Sequence, residues 1–594
     1  MGNKKWFGVW ALLLVLHGSW CLGQTPADSL KRKHNESVTI YGTANPVINK
    51  ANKLGFNPVP PQIKPATQLN NPLPPVTKWD ARIPLWPIKP GLIRVSEKQE
   101  SWKNVLIAAI GSRISPYAEM YHSGWKKNNY SYQLHIGHHS SFKNIKNYLP
   151  SPYTRTEADF LFSKTLAYHK LSLDGHYGYR TYRFYGYPTD LDTATFDQND
   201  TLFRQRNHRA RLAVDFRSVY KNFDKLHHSI HLEGDYFSDY FGSSEENVHF
   251  RFDLHKAYHA VRGLNQQQLG LEGAYLFYRD KTISQQQTDH FVEVSPYFDA
   301  RYGVLRFHAA IRLNWLRQSS STLHAYPSAK INLEILKNRL SLLAGVDGGL
   351  DKNSRTGLVM ENPYLSPFVN RFLWQNTRWK FFAGVKGNVA QQVDFSFTAS
   401  RSNFENRAFF DYDPLYFGTG PIPILYSTAD MNLYSFRRNE FMLRYQSGKV
   451  LKIHGHLEWY KASKARVWLD VTYRSFDLDN GFRPMYQPSI MGSFGVSYQW
   501  NSKFMPWITV YYVGKRWAEM RSYAEKWPLN MSVWLDPAYE LAAYLDVNLG
   551  INYQVNKQFS AFAKITNLLN QQYFRYNDYP VAGLEIMVGI GYKF

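Results

Sequence analysis

The final segment of the chain alternates apolar residues with small or polar ones up to a phenylalanine at the last position. The positions on one side of the alternation are Leu584, Ile586, Val588, Ile590, Tyr592 and Phe594. Because successive residues of a β-strand point to opposite faces, one face of this segment is apolar throughout. The pattern is typical of a strand with lipid on one side and a polar lumen on the other. We interpret it as a barrel-closing strand and as the signal read by the machinery that inserts barrels into the outer membrane.

The beginning of the chain has the order of a secretory signal peptide. Lys4 and Lys5 precede an apolar run from Trp6 to Leu16, and small and polar residues follow up to a cleavage site after Gly23. The apolar run is too short for a membrane-spanning helix. We therefore expect residues 1–23 to be removed and the rest to be exported to the outer membrane of a Gram-negative cell. Cys21 is the one cysteine, so the mature chain would have neither disulfides nor a cysteine metal site.

Composition narrows the class of protein. Aromatic residues make up 16% of the chain, and Tyr and Trp favour membrane interfaces. Mean hydropathy is −0.44, which a barrel tolerates because only every second residue of a strand meets lipid. A net charge of +23 is often a sign of nucleic-acid binding. An exported chain does not ordinarily meet nucleic acid, so lipid phosphates or an anionic solute are the expected counter-charges.

Residues 24–100 contain 12 of the 29 prolines. Proline removes backbone donors and favours extended geometry, so this region is predicted to be an extended or disordered periplasmic arm. A simple spacer is the favoured interpretation, and docking along a partner is the alternative.

From residue 101 to the end, alternating segments of nine to fifteen residues are separated by short polar breaks, with no helical interval. Repetition on this scale predicts an all-β chain closed into one large antiparallel transmembrane barrel, because closure leaves no unpaired edge in the membrane. About 23 segments can be counted, and an even number is normal, so we expect 22 strands. Basic side chains on the polar faces would line the lumen: Arg209, Arg211, Arg217, Arg251 and Lys452.

Long loops are expected near Asn353 to Thr377, Asp411 to Arg438 and Glu519 to Tyr539. The first two are rich in aromatic residues. Such loops can bind ligands at the outer rim or pack on one another.

The last thirty residues resemble the closing hairpin of TonB-dependent receptors. The resemblance is carried by an Asn-Leu-Leu-Asn turn, a tyrosine and a Tyr-Pro pair ahead of the terminal strand: Asn567, Leu568, Leu569, Asn570, Tyr573, Tyr579 and Pro580. In that family a phenylalanine is usual where Leu569 stands, and the later turn contains an arginine that is missing here. The resemblance implies an outer-membrane barrel of 22 strands.

The start of the barrel region is similar to a plugless variant of that family. Pro87-Ile-Lys-Pro90 precedes a small-residue first strand, and Pro116-Tyr-Ala-Glu119 opens the second. The family's amino-terminal plug is longer than the proline-rich arm, so the resemblance implies a barrel without a globular plug. Import driven by pulling on a plug is therefore in doubt.

Signals for chemistry are weak, and neither an enzyme nor a cofactor is predicted. Histidines cluster near residues 135–139, 227–231 and 249–259. His227 and His231 would share a strand face about 13 Å apart, which is too far to share a metal ion. Polar lumen lining is the favoured interpretation of these histidines. Serine and histidine are plentiful, but no spacing singles out a nucleophile.

Three functions remain open, of which a barrel enzyme is the least favoured. The first is solute transport or ligand binding through a basic lumen, which the family resemblance favours. The second is a non-transporting accessory or scaffold subunit of an outer-membrane assembly or secretion complex. The expected partners are outer-membrane lipid, the barrel-insertion machinery and, for the second function, surface or periplasmic lipoproteins.

Overall fold

The structure is a computed structural model. It describes residues 102–126, 129–186, 204–222, 224–258, 261–283, 285–389, 392–411, 440–461, 464–518 and 538–594. The signal sequence and the proline-rich arm, and with them the domain boundaries predicted for residues 1–23 and 24–100, lie outside the described residues.

Twenty-six strands are present in the described residues. The first thirteen are β1 (Asn104–Gly111), β2 (Ser115–Lys126), β3 (Tyr130–Ser141), β4 (Tyr153–Thr165), β5 (His169–Arg183), β6 (Arg204–Ser218), β7 (His227–Ser238), β8 (Ser244–Ala257), β9 (Asn265–Lys281), β10 (Gln286–Tyr302), β11 (Leu305–Arg317), β12 (Ser321–Leu336) and β13 (Leu340–Lys352). The others are β14 (Trp374–Val389), β15 (Val393–Asp411), β16 (Met442–Lys461), β17 (Ala465–Leu478), β18 (Ile490–Tyr498), β19 (Phe504–Val513), β20 (Arg516–Ala518), β21 (Tyr539–Leu541), β22 (Tyr544–Gln554), β23 (Phe559–Thr566), β24 (Phe574–Tyr576), β25 (Tyr579–Pro580) and β26 (Glu585–Lys593).

Twenty-two of these strands form one closed antiparallel sheet. Each strand pairs with its neighbours along the chain, β19 pairs with β22, and β23 pairs with β26. The barrel closes where β1 pairs with β26 from Val105 opposite Lys593 to Gly111 opposite Met587. Closure gives every barrel strand two neighbours, so no edge is left unpaired. The predicted fold class and strand number are confirmed.

The two faces of the barrel differ as the alternation predicts. On β26, Ile586, Val588 and Ile590 are exposed, whereas Glu585 and Met587 between them are buried. We assign the buried face to the inside of the barrel. Near one end of the barrel, buried side chains on this face contact loops that fold over the lumen. Near the closure, Ile107, Tyr117, Phe562 and Met587 pack together on this inner face. An apolar outer belt on a closed barrel agrees with the predicted location in the outer membrane.

The two ends of the barrel have different connections. At the short-turn end, Asn104 and Phe594 exchange backbone hydrogen bonds of 2.9 and 3.1 Å. The turn from β10 to β11 lies at this end, and its Gly303 has a φ of 57°, which glycine adopts without strain. The opposite, long-loop end carries the ribbons β20–β21 and β24–β25, a 3-10 helix at Asp479–Gly481 and the helix α1 (Arg355–Glu361).

Helix α1 corrects one prediction, because the alternating pattern of the sequence predicts no helical interval. Ser354 supplies its amino-terminal cap, with its Oγ accepting a hydrogen bond of 3.0 Å from the Gly357 N–H. No helix in the described part of the chain has the length and apolarity needed to cross a membrane.

Of the three predicted long loops, the first is described almost as expected, ending where β14 begins at Trp374. Residues 412–439 and 519–537 of the other two lie outside the described residues.

Candidate functional site

The connection between β13 and β14 folds over the long-loop end of the barrel. We call residues 353–373 the cap segment; it comprises α1 and the turns after it. Arg355 at the start of α1 is only 1% exposed and forms a two-pronged ion pair with Asp280 of β9, at 2.7 and 2.9 Å. The same guanidinium donates to the carbonyl oxygens of Pro367 and Val369, at 3.2 and 2.6 Å. One buried arginine therefore fastens the cap segment to the barrel wall and also holds its own fold together.

A second anchor lies at the end of the cap segment. Gln287 of β10 donates to the carbonyl oxygen of Phe372 at 2.8 Å and accepts from its N–H at 2.9 Å. The fully buried carboxylate of Asp289 accepts from Lys352 at 2.5 Å and from the Trp374 indole at 2.8 Å. The residues on both sides of the cap segment are thus tied to the same part of the wall.

The other side of the cap segment reaches the opposite part of the mouth. Its residues 364 and 366 exchange backbone hydrogen bonds with Phe441, and Tyr364 stacks on Tyr579 with ring centroids 3.5 Å apart. These rings belong to a buried cluster that includes Leu358, Leu365, Phe372, Phe410, Phe441, Met485, Tyr486, Ala518, Leu541, Tyr576 and Tyr579. The described aromatic loop residues therefore pack on one another, which was one of the two alternatives for them.

A cavity of about 250 Å³ lies next to the cap segment. Its lining has four arginines and one glutamate: Arg407 of β15, Arg474 of β17, Arg516 of β20, Arg575 of β24 and Glu361 of α1. The remaining lining includes Gln375, Gln487, Tyr486, Tyr544 and Tyr576. Burial raises the pKa of the Glu361 carboxyl, although Arg407, Arg575 and Arg474 oppose that shift. The lining thus has a strong excess of positive charge.

The sequence alone does not single out these arginines. They are spread from position 407 to position 575 on four separate elements, and only the strand pairing and the loop folds bring them together. A partial signal exists: Lys452, predicted to line the lumen, lies directly opposite Arg474 on the neighbouring strand.

The basic residues predicted to line the lumen occupy inward positions. Arg209 pairs with Asp235, its Nε 3.0 Å from Oδ2, and Arg211 pairs with Asp174 at 2.6 Å. The Nε of Arg251 has no hydrogen-bond partner among the described residues. Arg217 is exposed near the short-turn end of β6, and Lys452 lies on β16. Two of the five charges are therefore balanced by carboxylates, and their role in function stays a prediction.

Several of the clustered histidines form cross-strand pairs with aspartates. Asp159 accepts from His135 at 2.9 Å and from His176 at 2.7 Å, and His231 lies 2.8 Å from Asp215. Within the described residues, no group of three or more His, Cys, Asp or Glu side chains has the geometry of a metal site.

The closing hairpin positions its turn residues through side-chain contacts. Asn567 and Asn570 both have a φ of 49°, a left-handed conformation that asparagine tolerates. The Asn567 amide donates to the carbonyl oxygens of Gln571 and Ala582, at 2.8 and 3.1 Å. The Tyr573 hydroxyl donates to Asp546 at 2.7 Å, and its ring stacks on Tyr544. The Pro580 carbonyl oxygen accepts a hydrogen bond of 2.7 Å from the Tyr185 hydroxyl. Leu568 and Leu569 are exposed.

Replacing Asn567 with alanine is expected to destabilise this hairpin. The change removes three partly buried side-chain hydrogen bonds, to Gln571 and Ala582, and places alanine at a positive φ, which together cost about 2–4 kcal/mol. Thermal unfolding of the barrel, followed by its heat-dependent migration in electrophoresis, would show a lower midpoint. An Asn567→Gly variant relieves the backbone strain and should lose less, so equal losses for alanine and glycine would contradict the contribution of the positive φ.

Solved structures with a similar fold are outer-membrane receptors. The pyoverdine receptor FpvA from Pseudomonas aeruginosa is 12% identical, and the match covers 84% of this chain and 80% of that chain with a TM-score of 0.59. The siderophore receptor PirA from Acinetobacter baumannii is 10% identical over 84% of this chain and 81% of that chain, with a TM-score of 0.60. This chain has the barrel fold of siderophore receptors.

The ferric-catecholate import receptor Fiu from Escherichia coli adds a third example, with 9% identity, coverage of 84% of this chain and 83% of that chain, and a TM-score of 0.58. Neither a family model nor a curated protein matches the sequence. At such low identity the likeness to siderophore receptors establishes the fold. The predicted resemblance to TonB-dependent receptors is confirmed at that level.

Proposed function

We propose that this siderophore-receptor-type barrel is an outer-membrane protein that takes up an anionic solute through a basic lumen, without a globular plug domain. The observation that carries the proposal is the cavity beside the cap segment, where four arginines and one glutamate among the described residues give the lining an excess of positive charge. A basic lumen also raises the local concentration of anions and excludes cations.

The cap segment would control entry in this proposal. An incoming solute meets the cap segment at the long-loop end, and the Arg355–Asp280 ion pair holds that segment against the wall. Passage therefore requires the cap segment to move. The proline-rich arm, residues 24–100, would lie in the periplasm and leave the opposite end of the lumen free of a folded plug.

The anchoring of the cap segment also supports the second function. Two buried anchors and a shared aromatic cluster hold the cap segment in place over the mouth of the barrel, and such a mouth would stay closed. A barrel of that kind would act as a scaffold, with its arm and outer loops holding lipoproteins of an assembly or secretion complex. We favour transport because a scaffold gives no reason for four arginines to line a cavity at the mouth of the lumen.

Uptake by proteoliposomes tests the proposal. The full-length protein would be reconstituted and supplied with radiolabelled inorganic phosphate, with radiolabelled choline as the cationic comparison. We expect phosphate to enter faster than into protein-free liposomes, and faster than choline. An absence of phosphate uptake, together with stoichiometric co-purification of lipoproteins, would overturn the transport proposal in favour of the scaffold.

A further inference from the structure

We propose that the cavity beside the cap segment is a binding site for a small multivalent oxyanion, a free phosphate or carboxylate compound, held by Arg407, Arg474, Arg516 and Arg575. The charge, the orientation of the arginines and the size of the cavity support the binding site. Only the further step, that this anion is the transported solute, rests on the proposed function.

The charge of the cavity lining favours an anion. None of the four guanidinium groups forms an ion pair with a carboxylate in the part of the chain that the structure describes, and Glu361 is the one acidic side chain in the lining. Arg516 is only 4% exposed, and its Nε has no hydrogen-bond partner among the described residues. Burying guanidinium groups without a counter-charge is costly, so a bound anion would remove a large part of the desolvation penalty.

The guanidinium groups of three of the arginines are held in fixed orientations. Arg516 donates to the carbonyl oxygens of Phe574 and Arg575, at 2.7 and 3.1 Å. Arg575 donates to the Glu361 carbonyl oxygen at 3.0 Å, and Arg474 donates to Gln487 at 3.4 Å. These acceptors, all from described residues, are neutral, so they hold the guanidinium groups in place without adding negative charge. An anion would therefore enter a site that is already organised to receive it.

Arg407 is held differently. Its guanidinium lies 5.0 Å from the ring centre of Phe476 and 5.4 Å from that of Phe404. No hydrogen-bond partner or ion-pair partner among the described residues contacts it. Planar guanidinium groups bind carboxylate and phosphate with two parallel hydrogen bonds, which makes Arg407 the strongest candidate for direct contact with the anion.

The size of the cavity favours a small anion. The cavity has a volume of about 250 Å³. It lies below the range of roughly 300–1,000 Å³ that is usual for larger ligands. Inorganic phosphate and small di- or tricarboxylates fit this range. The amides of Gln375 and Gln487 add neutral hydrogen-bonding groups to the lining.

Titration calorimetry on the full-length protein in detergent tests the site, with inorganic phosphate and citrate as probes. We expect wild-type protein to bind at least one of them. Arg407→Gln and Arg575→Gln should each weaken binding about 10- to 100-fold, since a charged hydrogen bond is lost. Glu361→Gln should tighten binding several-fold, because it removes a like charge. Arg206→Gln is the matched control: this exposed arginine lies at the same end of the barrel, over the Tyr240 ring, and should leave affinity unchanged.

Each outcome decides the proposal. An absence of binding, or equal affinities in all variants, would overturn the site, provided that each variant keeps its heat-dependent electrophoretic migration. Displacement of bound citrate by phosphatidylglycerol but not by free phosphate would also overturn the proposal, because the site would then bind the phosphate group of a lipid. Binding without uptake by proteoliposomes would support the binding site and reject transport. Uptake without binding would support transport and reject the binding site.

Discussion

Replacing Arg355 with glutamine is expected to release the cap segment from the barrel wall. The change leaves the Asp280 carboxylate buried at 1% exposure without its partner, and breaking such a pair costs about 3–5 kcal/mol. The barrel itself should persist, because its strand pairing does not depend on the cap segment. Trypsin should then cut after Arg371, an exposed residue of the cap segment, at much lower protease concentrations than in the wild-type protein.

Two further variants control this experiment. Arg378→Gln removes a surface arginine that is 61% exposed and pairs with Glu405; exposed pairs contribute about 0–1 kcal/mol, so cleavage should hardly change. The double variant Arg355→Gln with Asp280→Asn removes both charges and should recover part of the protection. Equal protease sensitivity of Arg355→Gln and Arg378→Gln would contradict the role of the buried ion pair.

A lysine at Ile311 is expected to impair insertion and stability of the barrel. Ile311 lies in the middle of β11 and is 56% exposed on the outer face. A lysine on the lipid face near the bilayer midplane costs about 2–4 kcal/mol. Equilibrium unfolding in urea from lipid vesicles would measure the loss as a lower free energy of unfolding.

The adjacent residue supplies the matched control. Ala310 lies at nearly the same depth on the same strand, but its side chain points inward. Ala310→Lys should therefore cost much less than Ile311→Lys, since the added charge meets the polar lumen. Similar losses for the two lysines would show that the assignment of inner and outer faces is wrong.

The barrel could be predicted from the sequence because its cause is local. In a strand, the side chain's face depends only on whether the position is odd or even, so Ile586, Val588 and Ile590 can be assigned to the outer face without knowing their neighbours. The strand number follows from counting such segments and from the requirement for closure. The hairpin at Asn567 and Asn570 was recognised by its resemblance to that of TonB-dependent receptors, and the structure shows that both asparagines occupy left-handed turn positions, which favour a narrow choice of residues.

The mouth could not be predicted, because its contacts are not local. Arg355 and Asp280 are 75 residues apart, and nothing in the neighbourhood of either residue indicates the other. Helix α1 has only seven residues, too short to show the periodicity that identifies helices. The cavity arginines come from two barrel strands and two short ribbons. Their convergence depends on strand register and loop folding, which a single sequence does not encode in any readable pattern.

The zero-current potential of single channels measures whether anions pass through a basic lumen once the cap segment moves. Full-length wild-type and Arg355→Gln proteins would be compared in planar bilayers across a KCl gradient. We expect anion passage, seen as a larger conductance for Arg355→Gln and a zero-current potential displaced toward the chloride equilibrium potential. Displacement toward the potassium equilibrium potential, or no conductance in either protein, would contradict it.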